Sequence, residues 1–303
     1  MTLFIPALRP GDSIQVVAPA GPVHGEAIQR GMAVLSGWGV NPVAARHLLE
    51  RQGYLAGSDA ERAADLSAAF AIAGAGAVAY ARGGYGTTRL LPLLDLPGLA
   101  ARRRLLVGYS DATAMGLALS LDRPQPHLYG PGVADLGADI PDYDAASLQA
   151  GLLGLHPVGV QTISELQTIR PGRVRGVVMG GCLSLVAALA GTPFMASFRG
   201  RILFLEDVNE EPYRLDRMLT QLSLAGVVKG LRALILGRFT RCVPRPGVDS
   251  PSAQEVLKAW ARHLDVPAVW GLPAGHGPGR VTIPLGVEAD LDAGSGTVAF
   301  HHQ

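Results

Sequence analysis

The sequence predicts a two-domain α/β protein, and three observations lead to that prediction. Short apolar runs alternate with segments of helical period over residues 14–150, which is the pattern of βα units around a parallel sheet. Past a turn-rich stretch at 151–172 the alternation resumes with strands and helices mixed. The chain has 303 residues, room for two domains at roughly 100–200 residues each.

Strands are expected at 14–18, 40–44, 77–81, 105–109 and 127–129, each a short apolar run. Helices fall between them. The clearest spans 59–72, where Ala63, Leu66 and Phe70 share one face behind an Asp cap, and another spans 111–121 directly after an apolar strand. Such alternation is Rossmann/flavodoxin-like, so residues 1–150 are assigned to a parallel-sheet domain. Gly151, Gly154, Pro157, Gly159, Pro171 and Gly172 mark 151–172 as a linker. Residues 173–303 are assigned to a smaller mixed α/β domain, with strands at 174–179, 201–205 and 231–236 and helices at 183–190, 212–224 and 252–264. Strands at 281–284, 286–289 and 297–300, separated by Gly and Asp turns, complete it.

Composition narrows the function. Lys and Arg number 26 against 25 Asp and Glu, a net charge of +1 that argues against a nucleic-acid partner. With 48% hydrophobic and 17% charged residues the chain can bury a core and is not disordered. Its 39 glycines follow no Gly-X-Y period and therefore signal tight turns and close backbone approaches. Cys182 and Cys242 make neither a disulfide framework nor a metal-ligand cluster, which fits a reducing compartment. Residues 1–9 do not read as a secretory signal, and no window approaches the roughly 18 apolar residues of a membrane span. The expectation is a cytoplasmic protein with no membrane partner, no metal and no cofactor.

Four segments hold the candidate chemistry. Gly108-Tyr109-Ser110-Asp111 runs from an apolar strand into a helix, so Ser110 either projects from a nucleophile elbow or caps the helix. Arg82-Gly83-Gly84-Tyr85-Gly86 follows a strand. Its backbone N–H groups can approach an anion or an oxyanion, or the glycines serve only a tight turn. Leu205-Glu206-Asp207 places acids at the end of an apolar run, with Glu210 and Glu211 as a solvated helix start. Gly275-His276-Gly277 leaves one imidazole with little side-chain cover. His127 is a rival base better read as structural, His24, His47, His156 and His263 read as surface or helix-flank residues, and His301 and His302 as a disordered terminus. A serine needs an imidazole to take its proton and a carboxylate to orient that imidazole, and Ser110, His276 and Glu206 supply the three parts.

These motifs, in order along nearly the whole chain and joined by Pro10-Gly11-Asp12-Ser13-Ile14, Ala18-Pro19-Ala20-Gly21 and Tyr213-Arg214 with Asp216-Arg217, resemble the LD-carboxypeptidase family of Ser-Glu-His serine peptidases. The resemblance implies Ser110 as nucleophile, Glu206 and His276 as its partners from the rear domain, and an oxyanion hole from the backbone N–H groups of Asp111 and Gly84. It implies a murein tetrapeptide substrate that loses its terminal D-alanine, no metal, and a homodimer. Arg82, with Gly83 and Tyr85 beside it, is a candidate substrate contact: its guanidinium either pairs with the free carboxylate of the peptide or braces the glycine turn. Two alternatives remain open. One is a peptidase similar to microcin-immunity enzymes, which cleave a peptide-nucleotide amide bond, although Trp38, Trp260 and Trp270 are not evidently placed to stack a nucleobase. The other is a non-catalytic two-domain ligand-binding protein.

Overall fold

Apolar runs bounded by turn residues become the strands of two sheets in this computed structural model, which describes residues 5–138, 143–156 and 160–302. In the first sheet β1 (Ser13–Val17), β2 (Asn41–Ala44), β3 (Ala75–Tyr80), β4 (Leu105–Val107) and β5 (His127–Tyr129) run parallel in the order β5-β4-β3-β1-β2. β4 is buried throughout, as expected where helices cover both faces of a parallel sheet. The covering helices include Gly25–Gly37, Asp59–Ala71 and Ala112–Leu119. Ser58, not an Asp, caps the second of these: its hydroxyl accepts the Glu61 N–H at 3.3 Å, and Glu61 accepts the Ser58 N–H at 2.9 Å. That reciprocal pair leaves Asp59 as the first helical residue.

The second sheet is mixed. The 151–172 stretch, which lacks clean periodicity, contributes β6 (Val160–Ile163) and β7 (Gln167–Arg170) to its opposite edges, while 157–159 lie outside the described residues. Half-exposed edge strands bury too little to show alternation, so the turn residues around them dominated the reading. The parallel centre is β8 (Arg173–Cys182), β9 (Ile202–Val208), β10 (Ala233–Thr240) and β11 (Ala268–Trp270). The tail strands do not all stay in the rear half. β12 (Ile283–Leu285) pairs antiparallel with β5 and closes the edge of the first sheet, with Ile283 opposite Tyr129. β13 (Glu288–Asp292) and β14 (Thr297–His301) return to the second sheet beside β8.

One apolar cluster spans both sheets. Met115 and Leu119 on helix Ala112–Leu119 join Leu183 and Val186 on helix Leu183–Leu189, with Leu205 and Leu236 beneath. All are essentially excluded from solvent, and each such side chain contributes on the order of 1.5–3 kcal/mol by its burial. The helix that follows Ser110 is thereby fixed against the sheet that holds Glu206. The chain's end is equally anchored, contrary to the expectation for a terminus. His301 lies on β14 and its Nε2 meets Asp290 Oδ2 at 2.7 Å, while His302 is 3% exposed with its ring 4.2 Å from that of His156. β14 is an inner strand, and an inner strand cannot fray without opening a sheet. Among the described residues no helix is long and apolar enough to cross a membrane.

Candidate active site

Strand β4 stops at Val107, and the chain turns through Gly108, Tyr109 and Ser110 before helix Ala112–Leu119 begins. Ser110 adopts φ 58°, in the left-handed region that costs a non-glycine residue about 1–2 kcal/mol. That left-handed turn has the shape of an elbow, and Ser110 does not occupy the helix cap position. Asp111 holds the cap position, but its buried carboxyl turns away and accepts the Thr87 N–H at 2.9 Å. Burial pushes the Asp111 carboxyl above the usual range, against the N–H bonds from Thr87 and Gly86 that draw it down. The glycine turn lies directly against the elbow: a Cβ on Gly83 would stand 3.0 Å from Ser110 Cβ and 3.3 Å from its Oγ. Among the described residues the N–H groups of Asp111 and Gly84 have no protein acceptor.

Glu206 comes from the second sheet. It does not end its strand but sits inside β9, fully buried, and all its bonds are short and internal. Oε2 accepts the His276 backbone N–H at 3.0 Å and its Nδ1 at 2.8 Å; Oε1 accepts the Tyr129 hydroxyl at 2.6 Å. A carboxylate facing Nδ1 keeps the proton there, so Nε2 is left as the acceptor. The close fit requires Gly275, at φ +105°: a Cβ there would stand 2.3 Å from Glu206 Oε2. Burial works against a charged His276, but the hydrogen bond and charge of Glu206, helped by Asp207, outweigh it and hold the imidazole above its ordinary value. Asp207 itself is pushed up to about 6 by burial and then by the charge of Glu206.

The two halves meet at one cavity of about 520 Å³ at the carboxyl end of the first sheet, where open α/β sheets place their ligands. Ser110, His276, Arg82, Gly83 and Gly84 all line it, together with His24, Asp135, Val208 and Asn209. Ser110 and Glu206 are further joined through Tyr129, whose hydroxyl accepts the Ser110 N–H at 3.1 Å. The Tyr109 ring packs 4.9 Å from that of His276, and the Arg280 guanidinium lies 4.8 Å over Tyr109 and 3.4 Å from Asp135.

Some expected residues fall elsewhere. Tyr85 is 48% exposed, its ring 6.0 Å from that of Tyr54, and it is not part of the cavity wall. Arg82 lines the cavity while Nη1 donates to the Pro22 carbonyl at 3.3 Å, so it both braces a turn and faces the site. His127 is buried with Nε2 at 2.8 Å from the Gly108 carbonyl, and burial pushes it down to about 4, the structural role expected of it. His47 is not a free surface residue, since its Nδ1 meets Asp65 at 2.9 Å. Glu210 and Glu211 are only partly solvated, Glu211 accepting from Arg245 at 3.0 Å. No cluster of three or more His, Cys, Asp or Glu side chains among the described residues could hold a metal ion. Sequence reasoning missed Tyr109, Tyr129, Asp135, Asn209 and Arg280. The two tyrosines lie at or just past the ends of β4 and β5, and that position was the available signal.

Comparison with known proteins follows the same division. Residues 14–130 match the LD-carboxypeptidase N-terminal domain and residues 175–291 the LD-carboxypeptidase C-terminal domain. The murein tetrapeptide carboxypeptidase of Pseudomonas aeruginosa is 34% identical over 291 residues, covering 92% of each chain. The crystal structure of muramoyltetrapeptide carboxypeptidase from Oxalobacter formigenes superposes with a TM-score of 0.84 at 31% identity, over 95% of this chain and 97% of that one. The microcin C7 self-immunity protein in complex with aspartyl sulfamoyl adenosine superposes with a TM-score of 0.86 over 99% of both chains. At 23% identity that likeness speaks to the fold alone.

Proposed function

The chain belongs to the LD-carboxypeptidase family, and from that premise we propose that it is a serine-type L,D-carboxypeptidase releasing the terminal D-alanine of murein tetrapeptide. The observation that supports this best is the buried Glu206–His276 pair opening onto the cavity that a left-handed Ser110 also lines. Ser110 Oγ attacks the carbonyl of the third stem residue while His276 Nε2 takes its proton. Glu206 keeps the other ring proton on Nδ1 and offsets the charge of the imidazolium. The N–H groups of Asp111 and Gly84 receive the oxyanion, a contribution typically worth about 2.7–4 kcal/mol per donor. Collapse breaks the C–N bond, and the proton on His276 leaves with the amine of D-alanine. Water, deprotonated by His276, then cleaves the ester and frees the tripeptide.

Arg82 is the candidate for the free carboxylate of the peptide. For the nucleotide-peptide alternative, Trp38, Trp260 and Trp270 are not among the described residues that line the cavity, although Tyr109 is. The reading carries the further expectations of a cytoplasmic enzyme and a homodimer, the latter checked by light scattering. The deciding experiment is mass spectrometry of a synthetic tetrapeptide incubated with the wild type and with Ser110→Ala, with an aminoacyl sulfamoyl adenosine in parallel. Loss of one alanine with the wild type alone supports the proposal. Undiminished release by Ser110→Ala, or cleavage only of the adenosine conjugate, rejects it.

A further inference from the structure

We propose, resting on the roles given above to Ser110, Glu206 and His276, that Tyr129 is a positioning residue. One phenol orients the carboxylate that holds His276 and the backbone that carries Ser110. Tyr129 is 1% exposed, at the end of β5, with the rings of Phe204, His127 and Tyr109 at 5.5, 5.6 and 6.4 Å.

The direction of every proton around it is fixed. A phenol has one hydrogen to give and two lone pairs to fill. The Ser110 backbone at 3.1 Å can only donate, and Glu206 Oε1 at 2.6 Å, as a carboxylate, can only accept, so the O–H points at Glu206. Thr113 Oγ1, 3.5 Å away, already accepts the Cys182 N–H at 3.0 Å and has its own hydrogen free for Tyr129. Both lone pairs are thus met by donors, and the arrangement has no second orientation. A proton stays on Tyr129 because burial, followed by the charges of Glu206 and Cys182, pushes its titration far above neutral pH. Among the described residues, the other charged or titratable groups near the Glu206–His276 pair include Asp207, Cys182, Cys242 and Arg280, with Tyr109 against the imidazole.

Remove the hydroxyl and two things follow. Glu206 Oε1 loses its donor in a dry site, so the anion is harder to form and its remaining charge falls on the oxygen facing His276. By either route the Glu206–His276 pair keeps a proton to higher pH. The Ser110 N–H also loses its acceptor at a backbone already in the left-handed region. A residue that merely filled space would change neither titration nor elbow.

The test uses inactivation of the full-length protein by a fluorophosphonate, in which Ser110 Oγ attacks phosphorus, a P–O bond forms, fluoride leaves and the serine proton passes to His276. Second-order rate constants are measured from acid to neutral pH for the wild type, for Tyr129→Phe and for protein carrying 3-fluorotyrosine at 129, with the labelled residue identified by mass spectrometry. In Tyr129→Phe the midpoint of the acid limb should rise by about one pH unit, and the plateau should fall about tenfold. Fluorine makes the phenol a better donor, so 3-fluorotyrosine should lower the midpoint; that variant decides alone if Tyr129→Phe does not fold. Coincident acid limbs, or a shift of both variants in the same direction, overturn the inference. The readout does not depend on the peptide substrate. Normal labelling without D-alanine release would therefore reject the substrate and leave Tyr129 standing, whereas a wild type unlabelled at Ser110 would overturn both.

Discussion

Gly275→Ala is the substitution whose consequence the structure fixes most tightly. The added Cβ would stand 2.3 Å from Glu206 Oε2, 2.5 Å from its Cγ and 2.6 Å from its Cδ, with the backbone at φ +105°. Ordinary contact begins near 3.4 Å, so the carboxylate must retreat by about 1.1 Å or the histidine loop must move by as much. Misplacing a positioning group by about 1 Å costs on the order of 100-fold in rate, or about 2.7 kcal/mol of barrier. The loss should appear in kcat, with KM within about threefold, because Gly275 does not line the cavity. The assay is D-alanine release coupled to a D-amino acid oxidase, beside thermal unfolding. Gly271→Ala separates strain from collision: its φ of +96° is similarly unfavourable for a side chain, but no atom lies within 4 Å of the new Cβ. Both variants should lose about 1–3 kcal/mol of stability to the backbone, and only Gly275→Ala should lose its turnover. A Gly275→Ala protein with kcat within about threefold of wild type would refute this account of how Glu206 is held.

Three further outcomes are expected. Because His276 is held above its ordinary 6.5, kcat/KM should fall as pH drops through a midpoint above 6.5, where the imidazole becomes charged and cannot accept the serine proton. A limb centred below 6.5 would contradict the dominance of Glu206 over burial. Asp207, raised from 3.8 to about 6, contributes stability that is present below 3.8 and lost as pH rises through 6. Urea unfolding should therefore show a loss on the order of 3 kcal/mol between pH 4 and 7.5 that is smaller in Asp207→Asn. Arg82→Ala should lower kcat/KM about 10- to 100-fold for peptides with a free carboxyl end and far less for their amides, in parallel assays of the two substrates; equal losses would leave Arg82 a turn brace only.

Much of this was legible in the sequence, and the reasons differ from place to place. The strand expected at 105–109, which ends at Val107, and the one at 127–129 were readable because their runs are wholly buried, and the helix at 212–224 because Leu215, Leu219 and Leu222 recur on one buried face. Ser110 was readable as a position but not as a conformation, since a serine after a strand is compatible with both a cap and an elbow and only the backbone angle separates them. Glu206 was mistaken for a strand end because a charged residue interrupts an apolar run. The strand in fact continues to Val208, the charge being tolerated by the three hydrogen bonds it accepts. Tyr129 was missed altogether: a tyrosine in an apolar run looks like core, and in packing it is core, apart from one oxygen. The edge strands at 160–163 and 167–170 bury too little to leave a trace.

The short strand Ile283–Leu285, lent by the tail to the front sheet, has a consequence for synthesis. A ribosome that has made only the first half of this polypeptide has made β5 with a bare flank and without the histidine, the acid or the strand that seals it. The nascent chain is therefore inert, and adhesive at that flank, until Leu285 has been translated. Severing the gene near its middle should yield two insoluble pieces, and a nick between the two halves should be tolerated only after folding, when the tail already stitches them together.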